Sequence, residues 1–309
     1  MKSFLPLFLV FSLVMSESIL RAQFKDSPPD ETLSLPKHFD ALFIGNSFTF
    51  FHGGVNHLTA AMVNTIPGRK MSTVSACPGG YALLQHAELE DAAKTVEKIK
   101  SKKWDIIVLQ EQSIFPIMNR NLMIDGGCRI HQIILEHSPE TQVILYETWA
   151  RGFGMLEGFG QDEPKKEKMK KYYQETFGLD LSREPYSLWL KDGISGAYAQ
   201  LKTEIDKQVD KYNADPANKT KAPYAKIVHA GSYWELCKAK EPEINLYHTD
   251  NYHQSPAGNY LTALIFYKTL TGKEKLTGIY KRLKSKRINP KISAADAAKL
   301  EKIAQEKLD

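Results

Sequence analysis

Five short apolar runs, separated by stretches whose apolar residues recur every three or four positions, constrain this chain more than any other feature. The runs are Asp40–Ile44, Met71–Ala76, Asp105–Leu109, Gln142–Tyr146 and Lys226–His229. A run such as Ile106-Ile-Val-Leu109 has no polar face, which suits a parallel strand covered on both sides. Between the runs, Val55, Leu58, Met62 and Ile66 step with helical spacing, as do the stretches Ala92–Ile99, Leu122–Leu135 and Ile194–Tyr212. Strands alternating with helices predict right-handed βαβ units in an α/β fold. The expected architecture is a flavodoxin-like, doubly wound parallel sheet of about five strands in three α/β/α layers. Ligands of such sheets sit outside the carboxyl ends of the strands, so the loops after strands one, two, three and five should meet.

The rest of the chain bounds the organisation. With 309 residues, 42% hydrophobic and 25% charged, a single large domain over 23–309 is expected. Residues 1–22 read as a signal peptide: Lys2 gives a positive start, Phe4 to Met15 the apolar core, and Ala22 a cleavage point. The run is too short and too soon interrupted for a membrane span, so a secreted or periplasmic protein with no stable membrane anchor is expected. The net charge of +5 comes mostly from Lys273 to Arg287, in a polar helical tail at about 280–309. That pattern suits a solvated surface rather than a nucleic-acid face, which would interleave aromatics. Cys77, Cys128 and Cys237 are odd in number and far apart, and read as buried free thiols. The interval 151–192 is too long for a plain connection and is expected to be an insertion with its own helix, or a lid.

The chemistry-bearing residues fall on the predicted loops. Gly45-Asn-Ser47 follows the first apolar run, where an α/β enzyme places a nucleophile, although the triplet alone is ordinary turn chemistry. Asp250-Asn-Tyr-His253 supplies what a serine needs: His253 as general base, and Asp250 to fix its tautomer and stabilise the imidazolium. Ser255 and Pro256 read as the N-cap and first turn of a helix Ala257–Leu270, a firm mount for that base. Acyl transfer also needs oxyanion donors. The backbone of Ser47 and Gly80 are candidates, as are the carboxamides of Gln110 and Gln112, with Gln110 favoured because it lies nearer the sheet edge. Trp149, Arg151 and Tyr252, with Phe50, are candidates for the wall of a substrate pocket.

These residues resemble the blocks of the SGNH (GDSL-like) hydrolases. Gly45-Asn-Ser-Phe-Thr49 is similar to their first block, Gly80 to the glycine of the second, and Asp250-x-x-His253 to the last. Finer features resemble a bacterial, often secreted subgroup: Pro-Gly-Gly followed by Leu84 and His86, Val-Leu-Gln-Glu-Gln-Ser, the run from Asp250 to Leu261, and a closing Phe266 to Gly272. Two departures stand out. Asn46 replaces the usual aspartate before the serine, and the block-three asparagine is absent, with Gln110 or Gln112 in its neighbourhood.

The resemblance implies a serine esterase with a Ser47, Asp250, His253 triad, an acyl-enzyme intermediate and no cofactor. Export and aromatics suggest O-acetyl groups on carbohydrate as one substrate among the small-molecule or glycan esters. Two other readings use the same residues. A metal-dependent hydrolase would use His248, Asp250 and His253 with His229 or His52. A non-catalytic carbohydrate-binding relative would keep only the fold.

Overall fold

The computed structural model describes residues 33–88, 92–152, 162–177, 190–272 and 276–308. Five strands, β1 (His38–Ile44), β2 (Lys70–Ala76), β3 (Ile106–Leu109), β4 (Gln142–Tyr146) and β5 (Lys226–Val228), form one all-parallel sheet in the order β2-β1-β3-β4-β5. Each expected strand is present to within two residues at either end. Successive side chains of the central strands go to opposite faces. Ala41, Phe43, Ile106, Val108, Ile144 and Tyr146 enter one core, whereas Leu42, Ile44, Ile107, Leu109, Val143 and Leu145 enter the other. Both faces being buried is why the runs lack a polar side.

The helices complete the three layers. On the first face lie α2 (Val55–Val63), α9 (Ala230–Lys240) and α10 (Pro256–Thr271). On the second lie α3 (Leu83–His86), α4 (Thr95–Lys100), α6 (Arg120–His137) and α8 (Gly196–Ala214), the last entered through a π turn, Leu190–Ser195. Short helices α1 (Ser47–Phe50) and α5 (Phe115–Met118) follow β1 and precede α6. Within the interval 151–192 the described part is the helix α7 (Glu163–Phe177), while the signal-peptide expectation falls outside the described residues. Among the described residues no helix is long and apolar enough to cross a membrane.

The C-terminal segment is integral to the core rather than a solvated tail. Ile279 and Leu283 of α11 (Ile279–Ser285), with Leu300 and Ile303 of α12 (Ala294–Gln305), join the first core. Glu301 explains the attachment: its carboxylate accepts from the Tyr260 hydroxyl at 2.8 Å and from the Gly278 and Tyr280 amides at 2.7 and 2.8 Å. The lysines and arginines stay outside while the helical apolar stripe turns inward. All three cysteines are free, and burial pushes the Cys77 and Cys237 thiols up to about 12.

The order of the sheet reverses between β1 and β3, and the crevice at their carboxyl ends is where this topology accepts ligands. Gly126 sets the fit of one wall. A Cβ there would stand 2.3 Å from the Leu84 amide nitrogen of α3, so α6 can approach only as glycine. Gly126→Ala should therefore cost about 1–3 kcal/mol through overpacking, read as a lower urea midpoint with an unchanged slope. An unshifted midpoint would refute the close fit.

The loop after β3 carries a second constraint. Glu111 is fully buried, with Oε1 accepting from the Leu83 amide at 3.1 Å and from the Gln112 amide at 2.5 Å, while Oε2 has no partner among the described residues. Burial pushes its carboxyl up to about 7 from 4.5, outweighing the two amide bonds. Because the folded state holds this proton more tightly, the contribution of Glu111 is present below about pH 4.5 and is lost as pH rises through about 7. Glu111→Gln should flatten the pH dependence of stability across that window and stabilise the protein at pH 8 by on the order of 2 kcal/mol. Equal slopes for variant and parent in pH-resolved urea melts would overturn this.

Candidate active site

Ser47 is the first residue of α1, half buried, directly beyond the carboxyl end of β1. The turn that presents it is held from several sides. The Gly45 amide donates to the Ala76 carbonyl of β2 at 3.0 Å. Asn46, in extended conformation, is the N-cap: its Oδ1 accepts from the Phe48 amide at 3.2 Å, and its Nδ2 donates to the Tyr81 carbonyl at 2.9 Å. Gln110, fully buried, lies beneath. Its Oε1 accepts from the Asn46 amide at 2.9 Å and the Thr49 hydroxyl at 3.1 Å, and its Nε2 donates to Asn46 Oδ1 at 3.0 Å and to the Glu111 carbonyl. A Cβ on residue 45 would meet Gln110 Oε1 at 2.5 Å, so glycine is required there. The buried His86 donates from Nε2 to the Gly45 carbonyl at 2.8 Å, and its Nδ1 lies 2.7 Å from the Thr95 hydroxyl.

His253 and Asp250 occupy a loop that doubles back on itself. The His248 amide donates to the His253 carbonyl at 2.8 Å and the Ser255 amide to the Leu246 carbonyl at 2.8 Å, with Asn251 left-handed at φ 59°. Asp250 Oδ1 accepts from the Tyr252 and His253 amides at 3.1 and 3.0 Å; Oδ2 accepts from His253 Nδ1 at 2.8 Å. Burial works against the Asp250 charge, but the His253 bond and the two amides outweigh it and hold the carboxyl below its usual range. As expected, Ser255 caps α10, accepting from the Ala257 and Gly258 amides at 3.1 and 3.2 Å, with Pro256 in the first turn.

This loop rests on the serine-bearing segment. The His253 ring stacks on Phe51 at 4.3 Å and meets Phe48 edge-on at 5.6 Å. Gln254, fully buried, donates from Nε2 to the carbonyls of Phe48 at 3.1 Å and Phe51 at 3.3 Å. His253 is only 7% exposed, and its Nε2, opposite the Asp250 bond, is buried without a hydrogen-bond partner among the described residues. Phe48, Phe51 and Gln254 were invisible as site residues in the sequence. Gln254 adjoins His253 along the chain, but only the tertiary structure brings Phe48 and Phe51 against the ring.

The other expected residues divide. Gly80 is exposed at φ +75°, with open space where a side chain would stand. The Gln110 carboxamide does not turn toward a ligand, because both of its amide hydrogens are committed beneath Asn46 and to Glu111. Gln112 is half buried; its Oε1 accepts from the Ile114 amide at 2.8 Å, and among the described residues no bond occupies its Nε2. Trp149 is fully buried and cannot line an open pocket. Tyr252 is half buried, with the Arg151 guanidinium 5.0 Å above its ring, and Arg151 Nη2 donates to the Ser113 hydroxyl at 3.0 Å. Phe50 is 45% exposed at the end of α1.

Of the residues of the metal reading, His248, Asp250 and His253 share one loop, whereas His229 stands apart. His229 pairs with the buried Glu147 at 2.9 Å, after β5 and β4. His248 lies 3.5 Å from Asp250 Oδ2, and its ring centroid is 5.3 Å from that of His52. Among the described residues no three His, Cys, Asp or Glu side chains group as a metal site would require.

Comparison with known proteins follows the same topology. No protein-family model matches the chain, and no curated protein matches it. Solved structures do. A protein from Slackia heliotrinireducens described among the SGNH hydrolases aligns with TM-score 0.51 at 18% identity, over 75% of this chain and 98% of its own. A DUF4886 family protein from Bacteroides uniformis aligns with TM-score 0.52 at 15% identity, over 86% and 93%. A protein from Parabacteroides merdae described as a GDSL-like lipase aligns with TM-score 0.50 at 14% identity, over 79% and 100%. At these identities the likeness is one of fold: the chain has the α/β architecture of the SGNH hydrolases.

Proposed function

We propose that this protein is a serine esterase in which Ser47 attacks the ester carbonyl, His253 takes its proton and Asp250 orients the imidazole. The observation that carries this reading is the bond from His253 Nδ1 to Asp250 Oδ2 at 2.8 Å, with Nε2 left unpartnered beside the Ser47 helix. An alcohol needs such a base, since it is far too weakly acidic to attack unaided. Protonated at Nδ1, the neutral ring presents Nε2 as the acceptor for the serine proton; Asp250 then offsets the imidazolium charge. The tetrahedral oxyanion would be met by the Ser47 amide, one of those a helix leaves without an intrahelical partner, and by the Gly80 amide. Collapse of that intermediate expels the alcohol, which takes the proton from His253. Water repeats the sequence to release the acid and free Ser47.

The descriptions of structural neighbours as hydrolases and lipases support the same chemistry. O-acetyl groups on carbohydrate, and action outside the cytoplasm, remain part of the proposal as the substrate and setting that the leader-like first residues and the aromatic side chains of Phe50 and Tyr252 suggest.

Ser47→Ala and His253→Ala should each lower turnover of a chromogenic ester by roughly a millionfold, and Asp250→Asn by roughly ten-thousandfold, with folding unchanged. Asp250 stays ionised at neutral pH because its carboxyl is held below the usual range. Any loss of turnover near neutral pH should therefore not come from protonation of Asp250. Normal turnover by purified Ser47→Ala would remove the mechanism.

The third oxyanion donor is assigned to Gln112, whose amide is uncommitted, in place of Gln110. Gln112→Ala should lower kcat by roughly a hundredfold with KM little changed, as for a contact made in the transition state. Gln110→Ala should instead lower the unfolding midpoint, because it strips the buried Asn46 amide of its acceptor. The reverse pattern would return the role to Gln110.

A further inference from the structure

Trp149 was expected at a pocket wall, yet its indole lies fully buried at the centre of the site's supports. It belongs to the segment that leaves β4, a central strand of the sheet. One face stacks on Phe48 at 4.6 Å and 11°, and it also stacks on Trp234 at 4.0 Å and 3°. Its edge is equally occupied: Nε1 donates to the Tyr252 carbonyl at 2.8 Å. Phe48 follows Ser47 in the chain and Tyr252 precedes His253. One rigid side chain therefore touches the immediate neighbour of each residue that must exchange a proton.

We infer that Trp149 is a positioning residue that sets the separation of Ser47 and His253, holding Phe48 by its face and the Tyr252 carbonyl by its N–H. The inference rests on the reading of Ser47 and His253 as nucleophile and base. The indole suits the task because it is planar and locked between two rings, so the two attachments keep a fixed mutual geometry. A flexible apolar residue would fill the volume without fixing the angle. The Gln254 amide, joining the base loop to the Phe48 and Phe51 carbonyls, constrains the same loop from another side, so the loop would shift rather than detach when the indole N–H is lost.

The test compares two chemically identical changes. Trp149→Phe keeps an aromatic face against Phe48 and deletes the bond to Tyr252. Trp104→Phe deletes another buried indole bond, from Trp104 Nε1 to the Lys98 carbonyl at 2.9 Å, before the amino end of β3 and away from the base loop. Both should lower the melting temperature. Only Trp149→Phe should lower kcat, by roughly tenfold to a hundredfold, with KM changed by less than about twofold and fluorophosphonate labelling of Ser47 slowed in proportion. Should Trp149→Phe fail to fold, Phe48→Leu tests the other attachment and should show the same loss in kcat at constant KM. Parental kcat in folded Trp149→Phe or Phe48→Leu, or an equal fall in both tryptophan variants, overturns the inference. Failure of the underlying reading is separate: the parent would then not be labelled at Ser47, or Ser47→Ala would remain active.

Discussion

The buried pairing of Gln110 with Asn46 is the interaction on which the site depends. It spans the point where the sheet changes direction, joining the end of β3 to the end of β1 through hydrogen bonds on both the side chain and the amide of Asn46. A fully buried carboxamide is costly unless its groups are paired, and here Oε1 and both amide hydrogens are engaged. That satisfaction makes the turn rigid, and Gly45 is the concession that lets the two chains come so close. The Ser47 turn at the sheet edge inherits its position from this joint.

The second half of the site has a different origin. The Asp250–His253 loop contributes no strand, so nothing in the sheet ladder places it. It is hung instead from aromatic faces and a few backbone bonds: Phe51 and Phe48 against the His253 ring, Gln254 to two carbonyls, Trp149 to a third. Stacked aromatic contacts carry large buried area with defined geometry. An imidazole packed this way keeps its plane, while the short bond to Asp250 keeps its tautomer.

Two buried acids on the same edge of the sheet behave oppositely, which shows how local donors decide charge. Glu147 is fully buried, yet the carboxyl is held low: burial opposes its charge, but His229 and the Ser232 hydroxyl and amide at the start of α9 outweigh it. Glu111, equally buried, receives only two backbone amides on one oxygen and is pushed up to about 7. The first anchors a helix N-terminus as an anion; the second favours its neutral form beneath the loops that surround Ser47.

Periodicity alone determined the layers of this protein. Continuous apolar runs of four or five residues suit strands covered twice, as in β1, β3 and β4, and helical spacing between them suits a doubly wound parallel sheet. Residue type and chain position also marked Ser47, Gly80, Asp250 and His253 as candidates, because turn glycines, a loop serine and a closely spaced Asp and His are recognisable locally. The surroundings of Gln110, Gln112 and Trp149 were decided only by tertiary structure. A carboxamide or an indole has the same local signature whether it faces a ligand or a neighbour, and the choice depends on which groups from distant strands need partners. The C-terminal helices follow the same rule: their charge dominates the local composition, but the sparse stripe of Ile279, Leu283, Leu300 and Ile303 draws them into the core, because buried apolar area outweighs charges that can remain in water.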